Sequence, residues 1–378
     1  MFKAVAGYYK DNEQLRLLVK IIAVWLISRA VMLLMVPVMN LIADEPHQWL
    51  YYMNPWDAEW YKGIVENGYQ PPKSSGMASW AFFPLYPLVC MAVRLVTMGS
   101  IDTYAVGMTV SNICIIIAVY YAVKYADIEL DMKKYNKKTV EDIIIFLMLA
   151  GPFAVYYGAM YTEALFILCV ILCFYNSARH NYMAAGIAAA MASATRIVGC
   201  MLVFVLITYM FMETCAECRA KHNSEMKDNK EAGIIDKCML TEEAGILIAG
   251  NISLASVIRT FIKNVIKEPK KLVAIMISPL GIFIYMNYLR YFCGDSWAFY
   301  HVQRAWRTQK MFPVIGVLFK SCTGQLSAAS GVKTLNGIIL GWLCVITLML
   351  YAAMIRKKHY ALGIFGIIVP VSYTHLTL

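Results

Sequence analysis

The sequence predicts an all-α fold, a polytopic transmembrane helical bundle of about nine spans, and three observations carry that expectation. Of the 378 residues, 60% are hydrophobic and 15% charged, with a mean hydropathy of +0.58, far outside the range of a soluble domain. Apolar runs of about 20 residues, the length that matches the hydrocarbon thickness, recur from residue 18 onward. The basic residues collect in the connectors between those runs, as the positive-inside rule requires. That pattern accounts for the net charge of +10 without a nucleic-acid partner, and none is expected.

Taken in order, spanning helices are expected near 18–43, 103–125, 142–158, 161–178, 182–195, 197–212, 271–290, 336–355 and from 360 to the end. The start, "MFKAVAGYYKDNEQLRLLVK", is basic and has no small-residue cleavage site after the first apolar run, so it reads as an uncleaved first helix with a cytosolic N-terminus. The connector from Asp44 to Trp80 carries five acids, Asp44, Glu45, Asp57, Glu59 and Glu66, against Lys62 and Lys73. The next one, "KYADIELDMKKYNKKTVED", holds five lysines, so the two belong on opposite sides. This requires that 80–98, with two prolines and Arg94, lie in the interface, and 311–330 likewise. The chain then divides into an N-terminal transmembrane region (1–212) with a first outer loop at 44–102, a polar cytosolic insertion (213–270) and a C-terminal transmembrane region (271–378). Asp57, the "YYGAMYTE" corner, Arg196 and "GDSWAFYHVQRAW" all fall on the outer side. The stretch "ALGIFGIIVPVSYTHLTL" stops before a full span is finished, and the natural chain is expected to continue.

Eleven cysteines is an odd count, and Cys90, Cys114, Cys169, Cys173, Cys200 and Cys344 lie in apolar runs, where thiols act as small hydrophobes. No disulfide framework follows. The pair Cys215 and Cys218 has zinc spacing, but only Cys238 and His222 are near it in sequence, so no metal site is expected. Neither an Asp-x-Asp pair in the outer loop nor a glycine-rich phosphate cradle is present, which argues against a nucleotide-sugar site and for chemistry without a cofactor.

Asp57 sits in "NPWDAEWYKGIVENGYQ". With Asn54 as N-cap and Pro55 in the first helical position, it falls three residues after the cap, where a carboxylate complements the helix dipole. The same helix puts Trp60, Tyr61 and Ile64 on its side and Glu59, Lys62 and Glu66 on another face. A carboxylate against aromatic rings is partly desolvated, and its proton affinity rises toward that of a general base. Helix cap, base and salt-bridge partner all remain open on these grounds.

"WDAEWYKGIVENGY" followed by "AFFPLYPL" resembles the first outer loop of the glycosylphosphatidylinositol mannosyltransferase II (PIG-V) family and its prokaryotic relatives. "GPFAVYYGAMYTEALFILCVILCFY", "AAGIAAAMASATRIVGCMLV" and "PLGIFIYMNYLRYFCGDSWAFYHVQRAW" resemble its later segments, in the same order, over roughly residues 18 to 310. The resemblance implies a GT-C type glycosyltransferase that uses a polyprenyl- or dolichyl-phosphate-linked sugar, by family mannose, with an outer-loop aspartate as base. Carried over, that aspartate is Asp57. The acceptor is then a glycolipid, polysaccharide or protein, and the enzyme lies among membrane lipids, in the plasma membrane if the chain is prokaryotic.

One carboxylate suffices for such a reaction, because a lipid phosphate leaves without needing a proton, whereas a glycosidase uses two carboxyl groups. The phosphate needs cations, and Arg196, Arg304 and His301 are the candidates, with snorkelling arginines and an ordinarily hydrogen-bonded histidine as the alternatives. Glu163 opens an apolar run, either as a helix cap or as a sugar contact. Tyr157 and Tyr161, with Tyr156, offer a stacking platform or an interfacial belt. Trp56, Trp60, Tyr61 and Tyr69 flank the aspartate in sequence, and Phe82 and Phe83, with Trp80 and Pro84, suit a lipid entrance. The competing classes are a secondary transporter or lipid flippase, disfavoured by the lack of internal repeats, and a noncatalytic subunit of a glycosyltransferase complex.

Overall fold

The structure, a computed structural model, describes residues 12–42, 48–73, 76–231, 253–305, 314–324 and 332–367. The described residues form helices and no strands. They belong to two compact units: Met1–Ala178, Ile187–Cys200 and Ser278–Lys310 make the first, and Arg179–Gly186, Met201–Ile277 and Met311–Leu378 the second.

In the first unit α1 (Glu13–Ile42), α2 (Trp49–Met53), α3 (Ala58–Asn67), α4 (Leu85–Val96), α5 (Thr103–Glu129), α6 (Lys137–Leu149) and α7 (Glu163–Ala178) follow one another. The main packing is α5 on α7. On α5 the buried residues Val106, Val110, Cys114, Ala118 and Val123 recur at helical spacing, and they face Leu165, Cys169, Val170 and Cys173 of α7's buried set. Gly107 is required in that seam, since a Cβ there would lie 2.2 Å from Met160 Cγ. By contrast α1 buries only Leu17, Ile21 and Ser28 and exposes a long apolar surface, including Ile27, Leu34 and Leu41, as a lipid-facing helix does.

The two ends of α5 differ in charge. At its start, Asp102 caps the helix by accepting from the Tyr104 and Ala105 N–H groups, and Thr103 Oγ1 donates to Glu66 Oε1 at 2.6 Å. At its other end, about 39 Å away, Lys137 pairs with Asp127 and Glu13, and Lys20 pairs with Asp142. The acid-rich and lysine-rich connectors thus lie at opposite ends of one helix, as their composition requires.

Three stretches of the described residues are long and apolar enough to cross a bilayer: Glu13–Ile42, Thr103–Glu129 and Ile197–Ser224, with Pro269–Ile277 plus Leu280–Cys293 a fourth if counted as one broken span. Of the other expected spans, 142–158, 161–178 and 182–195 are shorter helices, 336–355 falls within a 25-residue helix, Val332–Arg356, and most of the stretch from 360 lies outside the described residues. The run 142–158 stops at Leu149 because Gly151 and Pro152 follow, and the tyrosine corner beyond it is a series of turns. Over 80–98 the helix α4 has 12 residues, about 18 Å, too short to cross and compatible with the expected interfacial position.

In the second unit, α9 (Leu202–Glu231) runs well past residue 212, so the insertion opens as a continued helix rather than as a loop. Beyond 232–252, which lie outside the described residues along with Cys238, α10 (Leu254–Lys267) is amphipathic and buries Val257 and Val265. Phe261 of α10 meets Phe211 of α9 with ring centroids 5.7 Å apart. Between the units in sequence lies α8 (Tyr182–Ser193), and α11 (Pro269–Ile277) belongs to the second unit. In the first unit, α12 (Leu280–Cys293) approaches the end of α8 so closely that a Cβ on Gly281 would lie 2.3 Å from Ala190 O. The short α13 (Ala298–His301) follows it, and α14 (Val314–Cys322) packs on α15 (Val332–Arg356) in the second unit. "SYTHLTL" lies outside the described residues.

Candidate active site

The loop that presents Asp57 is bolted down on both sides. Asn54 is not the N-cap of the helix carrying Asp57: it ends α2, and α3 begins only at Ala58. Its buried side chain instead donates to Leu50 O at 2.8 Å and accepts from Met160 N at 2.7 Å. One residue on, Pro55 O accepts from Tyr161 Oη at 2.5 Å. Trp56, held between these anchors, takes a left-handed φ of 53°. For a bulky residue this conformation is strained by about 1 to 2 kcal/mol, and the neighbouring hydrogen bonds hold it.

Asp57 is therefore the residue flanking α3, and its carboxylate makes no capping hydrogen bond. The buried face of α3 is Ala58, Tyr61, Ile64 and Val65; Asp57 precedes Tyr61 by four positions and Ile64 by seven, at the end of that side, and acts electrostatically on Tyr61 and Tyr161. It is exposed and reachable. Even so, surrounding protein displaces enough water to raise its proton affinity above the ordinary 3.8, the nearby Glu163 carboxylate adds to the rise, and Arg196 opposes it.

Glu163 and Arg196 complete a charge cluster. Glu163 stands in the first turn of α7, so it occupies the expected capping position, and it also receives Arg196 Nη1 at 2.7 Å. Its second oxygen, Oε2, is buried without a protein partner. Arg196 is set by the tight turn after α8, where its N–H reaches Ala192 O, and Nη1 also lies 3.4 Å from Thr162 Oγ1. Tyr157 is held to higher proton affinity by burial and by Glu163, which places it against the same cluster.

An aromatic wall backs the cluster. Tyr61 is buried, points its hydroxyl at Thr162 Oγ1 at 3.5 Å, and meets the rings of Tyr161, Phe82 and Tyr86. Burial, chiefly, raises its proton affinity, and Glu163, Arg196 and Asp57 all act on it electrostatically. Trp60 stacks on Phe82 at 5.7 Å, and Lys73 Nζ lies over the Trp60 ring, 4.8 Å from its centroid.

The remaining expected site residues form a different group. Tyr69 donates to Phe82 O at 2.7 Å and packs on Tyr285 and Tyr288, while Phe83 joins a core with Tyr285, Leu289 and Phe299. Tyr285 closes this group by donating to Trp80 O at 2.8 Å. His301 Nδ1 lies 2.7 Å from Asp295 Oδ2. Although burial opposes it, that hydrogen bond and the Trp297 N–H hold the Asp295 carboxyl below its ordinary range. The side chain of Arg304 and all of Trp306 lie outside the described residues. Glu59 is exposed as expected, yet accepts a short hydrogen bond from Tyr104.

Sequence reasoning missed Asn54 as an anchor, Thr162, and Arg29. The last had a visible signal, a lone arginine in the apolar run "WLISRAVMLL". The first two had none, because their partners are about a hundred residues away.

The cluster joins a reachable carboxylate of raised proton affinity, a second carboxylate and an arginine, which together can accept a proton and stabilise an oxyanion. Among the described residues no group of His, Cys, Asp and Glu is arranged to hold a metal. No curated protein and no solved structure matches the chain. The family described as mannosyltransferase (PIG-V) matches residues 14–234, which include the anchored loop, the tyrosine corner and Arg196. On that match over more than half its length, the chain belongs to the PIG-V mannosyltransferase family.

Proposed function

We propose that this membrane glycosyltransferase moves mannose from a polyprenyl- or dolichyl-phosphate-linked donor to a hydroxyl acceptor, with inversion, at the outer face of the membrane. The observation that carries the reading is the Asp57 carboxylate, open to a substrate and raised in proton affinity beside the Glu163–Arg196 pair.

Asp57 takes the proton of the acceptor hydroxyl as its oxygen attacks the anomeric carbon. The bond from that carbon to the phosphate oxygen breaks, and its electron pair stays on the lipid phosphate. Attack opposite the leaving group inverts the centre, and one carboxylate is enough because the leaving group is already anionic. Arg196 supplies positive charge to that phosphate, with its direction set by Glu163. The 294–306 segment carries His301, steadied by Asp295, and Arg304 as further phosphate contacts. Trp56, exposed beside Asp57, and the half-buried Tyr157 on the corner offer rings to the sugar, while Tyr161, expected to do the same, is buried and instead anchors Pro55 O. Trp60, Tyr61 and Phe82 support these groups from behind, and Tyr69 and Phe83 fix the packing of the 80–84 segment.

The lipid-linked donor is supported by the absence of an Asp-x-Asp pair in the outer loop and by the family membership. The acceptor class, a glycolipid, polysaccharide or protein, follows from the family's hydroxyl chemistry. The test is transfer in isolated membranes from radiolabelled polyprenyl-phosphate mannose, β-linked at its anomeric carbon, compared with GDP-mannose. An α-linked product from the lipid donor alone is expected; transfer only from GDP-mannose, or a β-linked product, contradicts the reading.

A further inference from the structure

The helix α10, "LASVIRTFIKNVIK", carries no acidic residue, and three rows of side chains run along its 14 residues. Val257 and Val265 are buried, and Phe261 between them meets Phe211 of α9. Leu254, Ile258, Ile262 and Ile266 recur at every fourth position, which puts them on one face, and each is between 43% and 65% exposed. One position further on, Arg259, Lys263 and Lys267 form a second exposed row, about 100° around the helix from the first.

The packing of α10 fixes its depth. α9 is apolar up to Met212, and Glu213 is its first charged residue. Phe261 of α10 meets Phe211, and Asn264 Nδ2 donates to Glu217 Oε2 at 2.9 Å. Just past α10, Lys271 pairs with Glu213 at 3.0 Å. These contacts all fall within about 9 Å along α9. Because α9 lies in a stretch long and apolar enough to cross a bilayer, Ile197–Ser224, the point where its apolar run gives way to charge marks the membrane surface. The helix α10 is held at that level.

Four aliphatic side chains in one exposed row are not the scattered apolar residues of an ordinary surface. An apolar face flanked by Lys and Arg is the pattern of a helix lying in the lipid interface. We infer that α10 binds anionic phospholipid: it lies in the membrane surface where α9 leaves the bilayer, with its four aliphatic residues among acyl chains and Arg259, Lys263 and Lys267 on lipid phosphates. Charge decides the occupant. A zwitterionic lipid fills the apolar row but brings no net charge to three cations, and a second copy paired through this face sets like charges against each other.

The inference does not depend on sugar transfer, and its test reads lipid contact directly. The full chain carrying Ile262→p-benzoylphenylalanine is reconstituted in vesicles of dioleoylphosphatidylcholine with a minor fraction of dioleoylphosphatidylglycerol and irradiated, and its adducts are identified by mass spectrometry. Phospholipid adducts are expected, with phosphatidylglycerol enriched at least about threefold over its share of the bilayer. The same photoprobe at Leu34, exposed on α1, is expected to capture the two lipids in bilayer proportion. Arg259→Gln, Lys263→Gln and Lys267→Gln together should bring the ratio at position 262 down to that proportion. Should the triple variant fail to fold, about 1 M sodium chloride, which shortens the Debye length to about 3 Å, should do the same to the chain with its cations intact. Should the probe at Ile262 prevent folding, Ile266 on the same row takes its place. An absence of lipid adducts, capture of this chain or a second copy instead, or enrichment no greater than at Leu34 overturns the inference. So does enrichment that survives loss of the three cations or, where that variant fails to fold, the salt.

Discussion

Two charge clusters, one in each unit, both set a cation against carboxylates beside a tyrosine and end in opposite states. In the second unit Lys271, only 4% exposed, meets Glu268 at 2.9 Å and Glu213 at 3.0 Å and lies over the Tyr182 ring. Tyr182 donates to Glu213 in turn, and His180 Nδ1 sits 3.3 Å from that carboxylate. Each charge there is answered from within the protein. In the first unit, Asp57 stands open without a capping bond, the like charge of Glu163 raises its proton affinity, and Glu163 Oε2 is left without a partner. A closed cluster holds helices together. An open one keeps hydrogen-bonding and electrostatic capacity for a substrate.

The contrast is broken most strongly by Asp57→Asn, expected to lower sugar transfer about 10²- to 10⁴-fold, the range for a lost general base. The fold should not suffer. Because the folded state raises the proton affinity of Asp57, the stability its protonated form contributes is complete below 3.8 and is lost as pH rises through the raised value. At neutral pH the amide, neutral like the protonated acid, should leave the thermal midpoint equal or higher; a clear fall would mean that Asp57 is a structural cap.

Lys271→Met is expected to do the reverse. Removing the shared cation strands Glu213, and thermal unfolding in detergent should report a loss on the order of 3 kcal/mol. Transfer per folded molecule should stay near wild type, and a selective loss of activity would erase the distinction between the clusters.

Trp56→Gly sharpens the comparison at the smallest scale. Glycine takes the positive φ without strain, so the fold should lose none of its stability and gain about 1 kcal/mol. Transfer is expected to fall several-fold as Asp57 loses its fixed direction, measured as kcat with the thermal midpoint alongside.

Much of this was legible in the sequence, for identifiable reasons. Charge alone separated the connector holding Glu59 and Glu66 from the one holding Lys137, and the two lie at opposite ends of α5. The tyrosine corner and the arginine of "TRIVG" were marked by polar residues at the edges of apolar runs. Helix phase was less accessible. Asn54 and Pro55 match a helix start by local preference, yet a tertiary bond from Met160 N draws Asn54 away and delays the helix to Ala58. The Glu163–Arg196 pair spans 33 positions, and nothing local announces it. Likewise the amphipathic α10 is masked by the polar composition around it, and Gly151 and Pro152 shorten α6 within a run whose hydropathy alone favours a full span.

The central claim is that Asp57, tuned from opposite sides by Glu163 and Arg196, is the group whose ionisation permits transfer. Its most direct test is the acid limb of kcat/KM against pH in wild type, Glu163→Gln and Arg196→Gln. The wild-type midpoint is expected above 3.8; Glu163→Gln should move it down, by removing the like charge, and Arg196→Gln should move it up, by removing the cation. Midpoints that stay fixed in both variants, or move together in one direction, would contradict the account.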